Sequence, residues 1–289
     1  MKSLQDLIGN IYPEALDFIR QGKEEGSLVS SLHFPSPDNA GAFCIVSKPE
    51  FTVSYLSFES DLKEVFLREI IWAEIEPHLQ ADFSDHPFYL NVYGRNSDAI
   101  RWAQEAGFRK EMHGYKLGYR GELPEEVSIN GLQVRGYEEQ DLQAIIILFD
   151  RAYQMLNQAN GWRTNWHALN AASFRRHLIE RQKFGEFVSF WDSDTLVGAY
   201  IIQGIYLSDI AVDPDHQNRG LGALLLTHSL RKMLVEKEVK DIRLNVAYSN
   251  TGAKRFYERH GFIEIGCFAD HIFMPQLDMR SQADDEPIK

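Results

Sequence analysis

The sequence has 289 residues, which is long for one domain and sufficient for two domains of roughly 150 residues each. Its residues are 44% hydrophobic, 25% charged and 12% aromatic, a balance that excludes a disordered or fibrous chain. The formal net charge of −12 argues against nucleic acid or an anionic membrane as a partner, because neither would be attracted over long range. The same charge suits either a cationic small substrate or simple solubility.

The cysteine pattern and the N-terminal residues indicate the cellular compartment in which the protein is expected. Cys44 and Cys267 lie in different halves of the sequence, so they predict neither a disulfide framework nor a cysteine-rich metal site. The N-terminus has no apolar signal core, and no run of about 18 apolar residues occurs. We therefore expect a cytoplasmic protein with no membrane partner.

Hydrophobic periodicity in the first half predicts a mixture of helices and strands. The predicted elements are a helix near 3–22, strands near 28–34, 41–48 and 51–58, a helix near 61–78, a strand near 87–93, a helix near 96–106 and a strand near 108–118. Residues 121–131 combine glycine, proline and a cluster of charges, a composition typical of a linker. We therefore place a first domain at 1–120.

The second half repeats this mixture. Its predicted elements are a strand at 132–137, helices near 139–156 and 170–181, strands near 186–191, 195–203 and 205–212, a helix from about 219 to 236, a strand at 241–247, a helix at 250–259, and strands at 261–267 and 270–274. A second domain is predicted at 132–276, and the polar tail at 277–289 is expected to be disordered. Each half thus predicts a mixed sheet with helices on its faces, an α/β architecture.

An internal repeat relates the two halves. Residues 90–108 (LNVYGRNSDAIRWAQEAGF) and 244–262 (LNVAYSNTGAKRFYERHGF) are identical at eight of nineteen positions with a constant offset of 154. The same offset aligns the β-rich segments 51–58 and 205–212 without a gap. A period of this length is far too long for a solenoid, so it indicates two similar tandem domains.

A glycine loop between a strand and a helix is the most informative segment. The β-rich run ends at Val212, a turn follows at Asp213-Pro214, and Gly220 and Gly222 stand where a long amphipathic helix begins. A helix start presents unpaired amides and partial positive charge, and glycine lets a phosphate approach those amides. The loop matches neither the Walker nor the dinucleotide-binding pattern. Alone, it is equally consistent with a tight turn before an ordinary helix.

A second motif follows 28 residues later. Asn250, Ala253 and Tyr257 have the spacing i, i+3 and i+7, so they lie on one face of the predicted helix at 250–259. That face carries a hydrogen-bonding amide, a small residue that permits close approach, and a phenol two turns along. The combination of this face with the glycine loop is more specific than either motif alone.

Together these motifs resemble those of the GNAT superfamily of acyl-CoA N-acyltransferases. The pyrophosphate motif of that family, Gln/Arg-x-x-Gly-x-Gly/Ala, is matched at 217–222, and its later motif is matched at 250–257 and closed by His260-Gly261-Phe262. The resemblance implies two tandem GNAT-like domains, the first truncated and degenerate. The first copy is expected to lack an opening strand and one helix, because the counterpart of Leu132 would fall before Met1.

The resemblance also implies where acetyl-CoA, the expected co-substrate, would bind. A pantetheine arm would insert between the strands at 205–212 and 241–247, and the loop at 217–222 would hold the pyrophosphate. Lys254 or Arg255 would reach the outer phosphate. The positions implied for coenzyme binding are Ile210, Ala211, Val212, Gln217, Asn218, Arg219, Gly220, Leu221, Gly222, Asn250, Ala253 and Lys254.

By the same resemblance, Tyr257 is expected to protonate the departing thiolate after an amine attacks the thioester. Asp209, on the strand that would face the thioester, is a candidate for the base that removes the amine proton. A hydrogen-bonded or solvated strand carboxylate is an equally good interpretation of Asp209. Trp162 and Trp166 lie where the family often walls the acceptor pocket, although ordinary packing is the competing interpretation. The histidines have no metal-ligand spacing, so no metal is expected.

The first copy has lost most of these positions. The offset places Lys63, Phe66 and Arg68 where the second copy has Gln217, Gly220 and Gly222, and places Ala103 opposite Tyr257 and Tyr55 opposite Asp209. Asn96 and Ala99 are retained. A phenylalanine and an arginine at the glycine positions would block the approach of a phosphate. We expect a non-catalytic first copy that either closes the acceptor pocket or only supports the fold.

The sequence is consistent with three functions. The first is N-acetylation of a primary amine on a small molecule by direct attack in a ternary complex. The second is N-acetylation of a protein or peptide, whose lysine or N-terminal amine would also suit an acidic groove. The third is a non-enzymatic acyl-CoA-binding regulatory module. The retained Tyr257 and the complete glycine motif favour an enzyme.

Overall fold

The computed structural model describes residues 2–34, 39–60, 64–79, 86–126, 128–129 and 131–274. The chain forms two compact units. Unit 1 contains Met1–Lys116 and the segment that begins at Glu264, and unit 2 contains Leu117–Ile263. No helix in the described part of the chain is long and apolar enough to cross a lipid bilayer.

Runs of helices and runs of strands follow one another along the chain. The helices are α1 (Leu4–Gly9), α2 (Pro13–Glu25), α3 (Glu64–Phe66), α4 (Trp72–Ile75), α5 (Ser97–Glu105), α6 (Leu142–Ala159), α7 (Trp166–Leu169), α8 (Ala171–Lys183), α9 (Leu221–Arg231) and α10 (Thr251–Arg259). The strands are β1 (Leu28–Phe34), β2 (Gly41–Ser47), β3 (Thr52–Phe58), β4 (Phe88–Tyr93), β5 (Phe108–Tyr119), β6 (Gln133–Arg135), β7 (Phe187–Asp192), β8 (Thr195–Gln203), β9 (Tyr206–Val212), β10 (Arg243–Ala247) and β11 (Phe262–Phe273). π-Helical turns at Leu67–Ile71 and Lys232–Glu236 follow α3 and α9.

The sheet of unit 1 is mixed. Strand β2 pairs antiparallel with β1 and β3, and β3 pairs parallel with β4 from Thr52↔Phe88 to Leu56↔Val92. The other edge of β4 pairs antiparallel with β11, from Phe268↔Tyr93 to Ile272↔Tyr89. Strand β3 is buried along its whole length, because apolar clusters cover both of its faces.

The sheet of unit 2 is also mixed. Strands β6 to β9 are joined by antiparallel pairs, and β9 and β10 are parallel neighbours. The end of β5 lies beside β10, where the Tyr119 amide donates to the Ile242 carbonyl at 2.9 Å. Helices α6 and α8 cover one face through a core that contains Phe149, Phe174 and Ala211. This arrangement confirms the predicted α/β fold with mixed sheets.

Several predicted elements differ from the observed ones for local reasons. The helix expected at 3–22 is two helices, because Pro13 begins α2 and removes a backbone donor from any continuous helix. The strands expected at 261–267 and 270–274 are one strand, β11. The short helix α7 was not predicted. The tail at 277–289 and Lys63 lie outside the described residues.

The division of the chain differs from the predicted boundaries at the last strand. The sequence places all of 132–276 in the second domain, whereas the segment from Glu264 belongs to unit 1. The physical reason is the antiparallel pairing of β11 with β4, which gives the free edge of β4 its hydrogen-bonding partner. Leu117–Tyr119 at the end of β5 belong to unit 2 instead.

A buried asparagine fixes the end of β3 in unit 1. The Asn96 side-chain oxygen accepts from the Phe58 amide at 2.9 Å, and its nitrogen donates to the Phe58 carbonyl at 3.0 Å. Asn96 and Phe58 are 2% and 1% exposed, so water cannot replace these bonds. Asn96 therefore ties the last residue of β3 to the start of α5.

Replacing Asn96 by alanine should lower the free energy of unfolding by about 2–4 kcal/mol, because two buried polar groups of Phe58 lose their partners. Urea denaturation measures this loss. The counterpart Asn250→Ala is a matched control, since the Asn250 side chain only caps α10 by accepting from the Ala253 amide at 3.1 Å. Loss of that cap should cost about 1 kcal/mol. Equal losses in the two variants would contradict the role assigned to Asn96.

Candidate active site

The strands β9 and β10 of unit 2 separate soon after they begin. Their pairing consists of one recorded residue pair, Tyr206↔Arg243, and one bond from the Arg243 amide to the Ile205 carbonyl at 2.9 Å. On its other edge, β9 pairs with β8 as far as Val212. Within the described residues, the last part of β9 therefore has one hydrogen-bonding edge without a neighbouring strand. An extended ligand carrying amide groups can pair with such an edge.

Asp209 lies on this part of β9, on the face covered by α6. The Tyr153 hydroxyl of α6 donates to the Asp209 carboxylate at 3.3 Å. Burial raises the pKa of the Asp209 carboxyl, while the charges of His167 and His177 and the Tyr153 hydrogen bond act in the opposite direction. A carboxylate whose pKa is raised in this way is better suited to accept a proton than an ordinary surface aspartate.

Tyr257 lies on α10 and is 8% exposed. Its ring packs edge-on against Phe256 and Phe262, with ring centroids 5.3 and 5.6 Å away. Burial, followed by the negative charge of Asp209, raises the pKa of the Tyr257 phenol well above its usual range. The phenol therefore keeps its proton at neutral pH. No described residue hydrogen-bonds to its hydroxyl.

The glycine loop begins α9 in the manner that the sequence predicts, but its two glycines differ. Gly220 is the N-cap residue with φ 84°, a left-handed conformation that L side chains rarely adopt, and no side chain caps the helix there. Gly222 lies in the first turn, and a Cβ there would meet the Phe256 ring at 3.7 Å, an ordinary contact. The requirement for glycine is therefore conformational at Gly220. The first amides of α9 can bind an anion.

A buried aspartate that the sequence analysis missed holds this loop. Asp213 is 7% exposed and accepts from Arg151 of α6 at 2.7 Å, from the Asp215 amide at 3.0 Å and from His216 at 3.3 Å. Arg151 also bonds to Asp215 at 2.8 Å. These bonds fix the turn between β9 and α9, and the Asp-Pro pair is the only sequence signal for it.

The other predicted coenzyme positions are distributed around the separated strands. Gln217 is exposed, and its amide donates to the Val212 carbonyl at 3.2 Å. Asn218 has a left-handed φ of 61°. Lys254 bonds to Glu258 at 2.5 Å along α10 rather than pointing free into solvent. The remaining positions are the exposed Arg219, the half-buried Ile210, Leu221 and Ala253, and the buried Ala211.

The segment between α6 and α8 contributes a histidine that the sequence analysis missed. Nδ1 of His167 in α7 donates to the Asp150 carboxylate at 2.8 Å, and Asp150 also accepts from the His167 amide at 2.9 Å. The predicted pocket residues Trp162 and Trp166 are 37% and 48% exposed. Both tryptophans are thus available on the surface of unit 2.

A cavity of about 470 Å³ opens beside the glycine loop. Its lining includes Arg219, Gly220 and Leu221 together with the apolar side chains of Val197 and Leu224. Its lining does not include Asp209 or Tyr257, so the cavity adjoins the start of α9 and not that pair of side chains. In the described part of the chain, no group of three or more His, Cys, Asp and Glu side chains could hold a metal ion.

The separated strands, the cradle at the start of α9 and the pair Asp209 and Tyr257 thus occur within one unit. Residues 150–280 match the family described as acetyltransferase (GNAT) domain. This match covers less than half of the chain, so it is a resemblance of this segment to that family.

Curated relatives match only part of their own length. The [ribosomal protein bS18]-alanine N-acetyltransferase of Salmonella typhimurium is 39% identical over 77 residues, which are 25% of this chain and 51% of the relative. The enzyme of the same name from Escherichia coli is 45% identical over 58 residues, 20% of this chain and 38% of the relative. The chain therefore spans about half or less of the curated relatives that it matches.

Among solved structures, a GCN5-related N-acetyltransferase from Sphaerobacter thermophilus aligns over 96% of this chain and 93% of its own, with 16% identity and a TM-score of 0.47. The PaiA N-acetyltransferase from Thermoplasma acidophilum, solved in complex with coenzyme A, aligns over 48% of this chain and 97% of its own, with 18% identity and a TM-score of 0.41. Both scores are too low to decide anything about function.

Proposed function

We propose that the protein is an N-acetyltransferase that transfers an acetyl group from acetyl-CoA to a primary amine, by direct attack in a ternary complex within unit 2. The observation that carries this proposal is the separation of β9 from β10 with Asp209 and Tyr257 beside it. The separated edge fits an extended arm, and the uncapped start of α9 fits a diphosphate. The match of residues 150–280 to the acetyltransferase (GNAT) domain family supports the same reaction.

In this proposal the coenzyme lies along β9 and ends at α9. The backbone of Ile210 and Val212 pairs with the amides of the pantetheine arm, Ala211 lies between them, and residues 217–222 hold the pyrophosphate. Asn250 and Ala253 face the arm from the start of α10, and Lys254 approaches the outer phosphate. The left-handed Gly220 and the ion pair that anchors Asp213 support a preformed loop, since both fix its backbone before any ligand binds.

The proposed chemistry uses Asp209 and Tyr257 in opposite roles. The amine nitrogen forms a bond to the thioester carbon, and a backbone amide near Val212 stabilises the oxygen as negative charge develops on it. Asp209 takes the proton that the nitrogen loses. The carbon–sulfur bond then breaks, and the departing thiolate takes the proton of Tyr257. The carboxyl then gives its proton to solvent and the phenolate takes one from solvent, which restores the starting protonation state of both groups.

The acceptor is proposed to be an amine of a small molecule, with Trp162 and Trp166 contacting it at the α6–α8 junction. A peptide N-terminus is the second candidate, because the curated relatives are named as acetyltransferases of a ribosomal protein alanine. Thiol release from acetyl-CoA with a panel of small amines and of peptides that begin with alanine separates the two. Coenzyme binding with no release on either panel would favour a non-enzymatic acyl-CoA-binding module.

The first copy is proposed to be non-catalytic. Its strands β3 and β4 stay paired from Thr52 to Leu56, whereas the equivalent strands of unit 2 have separated after Tyr206, the counterpart of Thr52. The Asn96 side chain hydrogen-bonds to both the amide and the carbonyl of Phe58, which is the counterpart of Val212. Ala103 stands at the position equivalent to Tyr257. Phe66 stands at the position equivalent to Gly220, and its half-buried ring packs against Phe58.

Calorimetry should therefore give one coenzyme A site per chain, and a charge at Gly222 should abolish it selectively. In Gly222→Glu the carboxylate occupies and repels the phosphate position, so affinity should fall at least about tenfold, or 1.4 kcal/mol. Folding stability should not fall, because an acidic residue is favourable at a helix start and glycine is a poor helix former.

The control for this prediction is Gly222→Gln, which has the same length without the charge and should bind more tightly than the glutamate variant. Equal affinity of both variants and the wild type would mean that the loop is only a turn. Two equivalent sites per chain would contradict a non-binding first copy.

Tyr257→Phe tests the proposed acid. It removes one hydroxyl and keeps the ring contacts with Phe256 and Phe262, so coenzyme affinity should change little. The chemical step should slow by about 10²–10⁴-fold, as for a positioned proton donor. Single-turnover rates are the proper measurement, because slow product release would mask the loss in kcat. A rate within about threefold of wild type would remove Tyr257 from the mechanism.

A further inference from the structure

The Tyr153 hydroxyl of α6 lies between two acceptors on β9. It is 3.3 Å from the Asp209 carboxylate and 3.4 Å from the Ile210 carbonyl oxygen. Both distances exceed the usual 2.7–2.8 Å of a hydroxyl hydrogen bond. A phenol has one proton to donate, so these two long contacts share one donor. By rotation of its O–H bond, the hydroxyl can donate to either oxygen.

The ring that carries this hydroxyl is held firmly. It stacks on the imidazole of His167 with ring planes 24° apart and centroids 6.2 Å apart, and it packs against Phe149 at 6.1 Å. His167 is itself fixed by the Asp150 carboxylate at 2.8 Å. The ring is therefore constrained, and the choice of acceptor reduces to a small movement of the hydroxyl.

The charge on Asp209 decides which acceptor is stronger. An ionised carboxylate forms a hydrogen bond about twice as strong as a neutral carbonyl does. Burial raises the pKa of Asp209, which favours the neutral form and leaves the hydroxyl shared with Ile210. The titratable groups that face Asp209 are Tyr153 of α6, His167 of α7, His177 of α8 and Tyr257 of α10.

The Ile210 carbonyl belongs to the part of β9 that has no pairing with β10 and that the proposed function gives to the pantetheine arm. We propose that Tyr153 is a positioning residue that couples coenzyme binding to ionisation of Asp209. When an amide of the coenzyme donates to the Ile210 carbonyl, the Tyr153 hydroxyl turns to Asp209 alone. This inference rests on the proposed function, because it requires the coenzyme to lie along β9.

The coupling has a definite sign. A hydrogen bond to the ionised carboxylate lowers its pKa, so Asp209 has a lower pKa in the coenzyme complex than in the free protein. Between these two pKa values, the free protein holds the proton and the complex does not, so binding releases a proton. Coenzyme affinity therefore rises with pH across this window and is constant on either side of it. A difference of about one between the two pKa values corresponds to an approximately tenfold change in affinity.

The test is calorimetric titration of the full-length protein with coenzyme A over a series of pH values, in pairs of buffers with different ionisation enthalpies. The buffer dependence of the heat counts the protons released. The coenzyme has a phosphate that titrates near pH 6 by itself. Asp209→Asn measures that contribution, because the amide cannot release a proton. Tyr153→Phe keeps the ring and its stacking on His167 but cannot donate to either oxygen.

Wild type should release more protons than Asp209→Asn, and its affinity should rise by about tenfold more with pH. Tyr153→Phe should match Asp209→Asn in both respects while it still binds coenzyme. Equal proton release in wild type and Asp209→Asn overturns the coupling. Release at the wild-type level in Tyr153→Phe shows that the hydroxyl does not carry it.

The same titrations distinguish a failure of the proposed function from a failure of this inference. A wild-type protein that does not bind coenzyme A overturns both, whereas binding without extra proton release overturns only the coupling. If Tyr153→Phe does not fold, the comparison of wild type with Asp209→Asn still decides whether Asp209 loses its proton on binding.

Discussion

The separation of β9 from β10 is the constraint on which the candidate active site of this protein depends. Backbone amides and carbonyls in a sheet interior normally pair with the next strand, and unpaired ones are costly. Unit 2 breaks this rule after Tyr206↔Arg243 and thereby frees a strip of β9. Asp209 lies in that strip, and Tyr257 interacts with it from α10. The site exists because this one pair of strands does not complete its ladder.

The two copies satisfy the same backbone positions by different means. In unit 1 the side chain of Asn96 bonds to both polar groups of Phe58, and β3 and β4 remain paired beside it. In unit 2 the equivalent Asn250 caps α10, and the Val212 carbonyl accepts only a long bond from the exposed Gln217. The retained asparagine is thus not a mark of shared activity. In unit 1 the asparagine satisfies the backbone at the end of β3, whereas in unit 2 the end of β9 keeps an edge without a neighbouring strand.

The sequence predicts the kinds and order of the elements well, because periodicity and punctuation by glycine and proline are local signals. The motifs also predict roles for Asp209 and Tyr257 in one reaction and a glycine loop at the start of α9, and the roles stay predictions. It does not predict the bond from Tyr153 to Asp209 or the anchoring of Asp213 by Arg151, since those residues are 56 and 62 positions apart. Pairing of β11 with β4 is invisible for the same reason, because the repeat suggests that each copy keeps its own last strand.

That last strand sets an order for folding during synthesis. Residues 117–263 of unit 2 are continuous in the chain, so they can fold once the ribosome has released them. The edge of β4 gains its hydrogen-bonding partner only when Phe268–Ile272 have been synthesised, and these residues lie about 180 positions further along. Until then unit 1 carries an unpaired strand edge, a surface prone to mispairing with other chains. In a nascent chain of this protein, unit 2 can therefore complete its fold before unit 1 does.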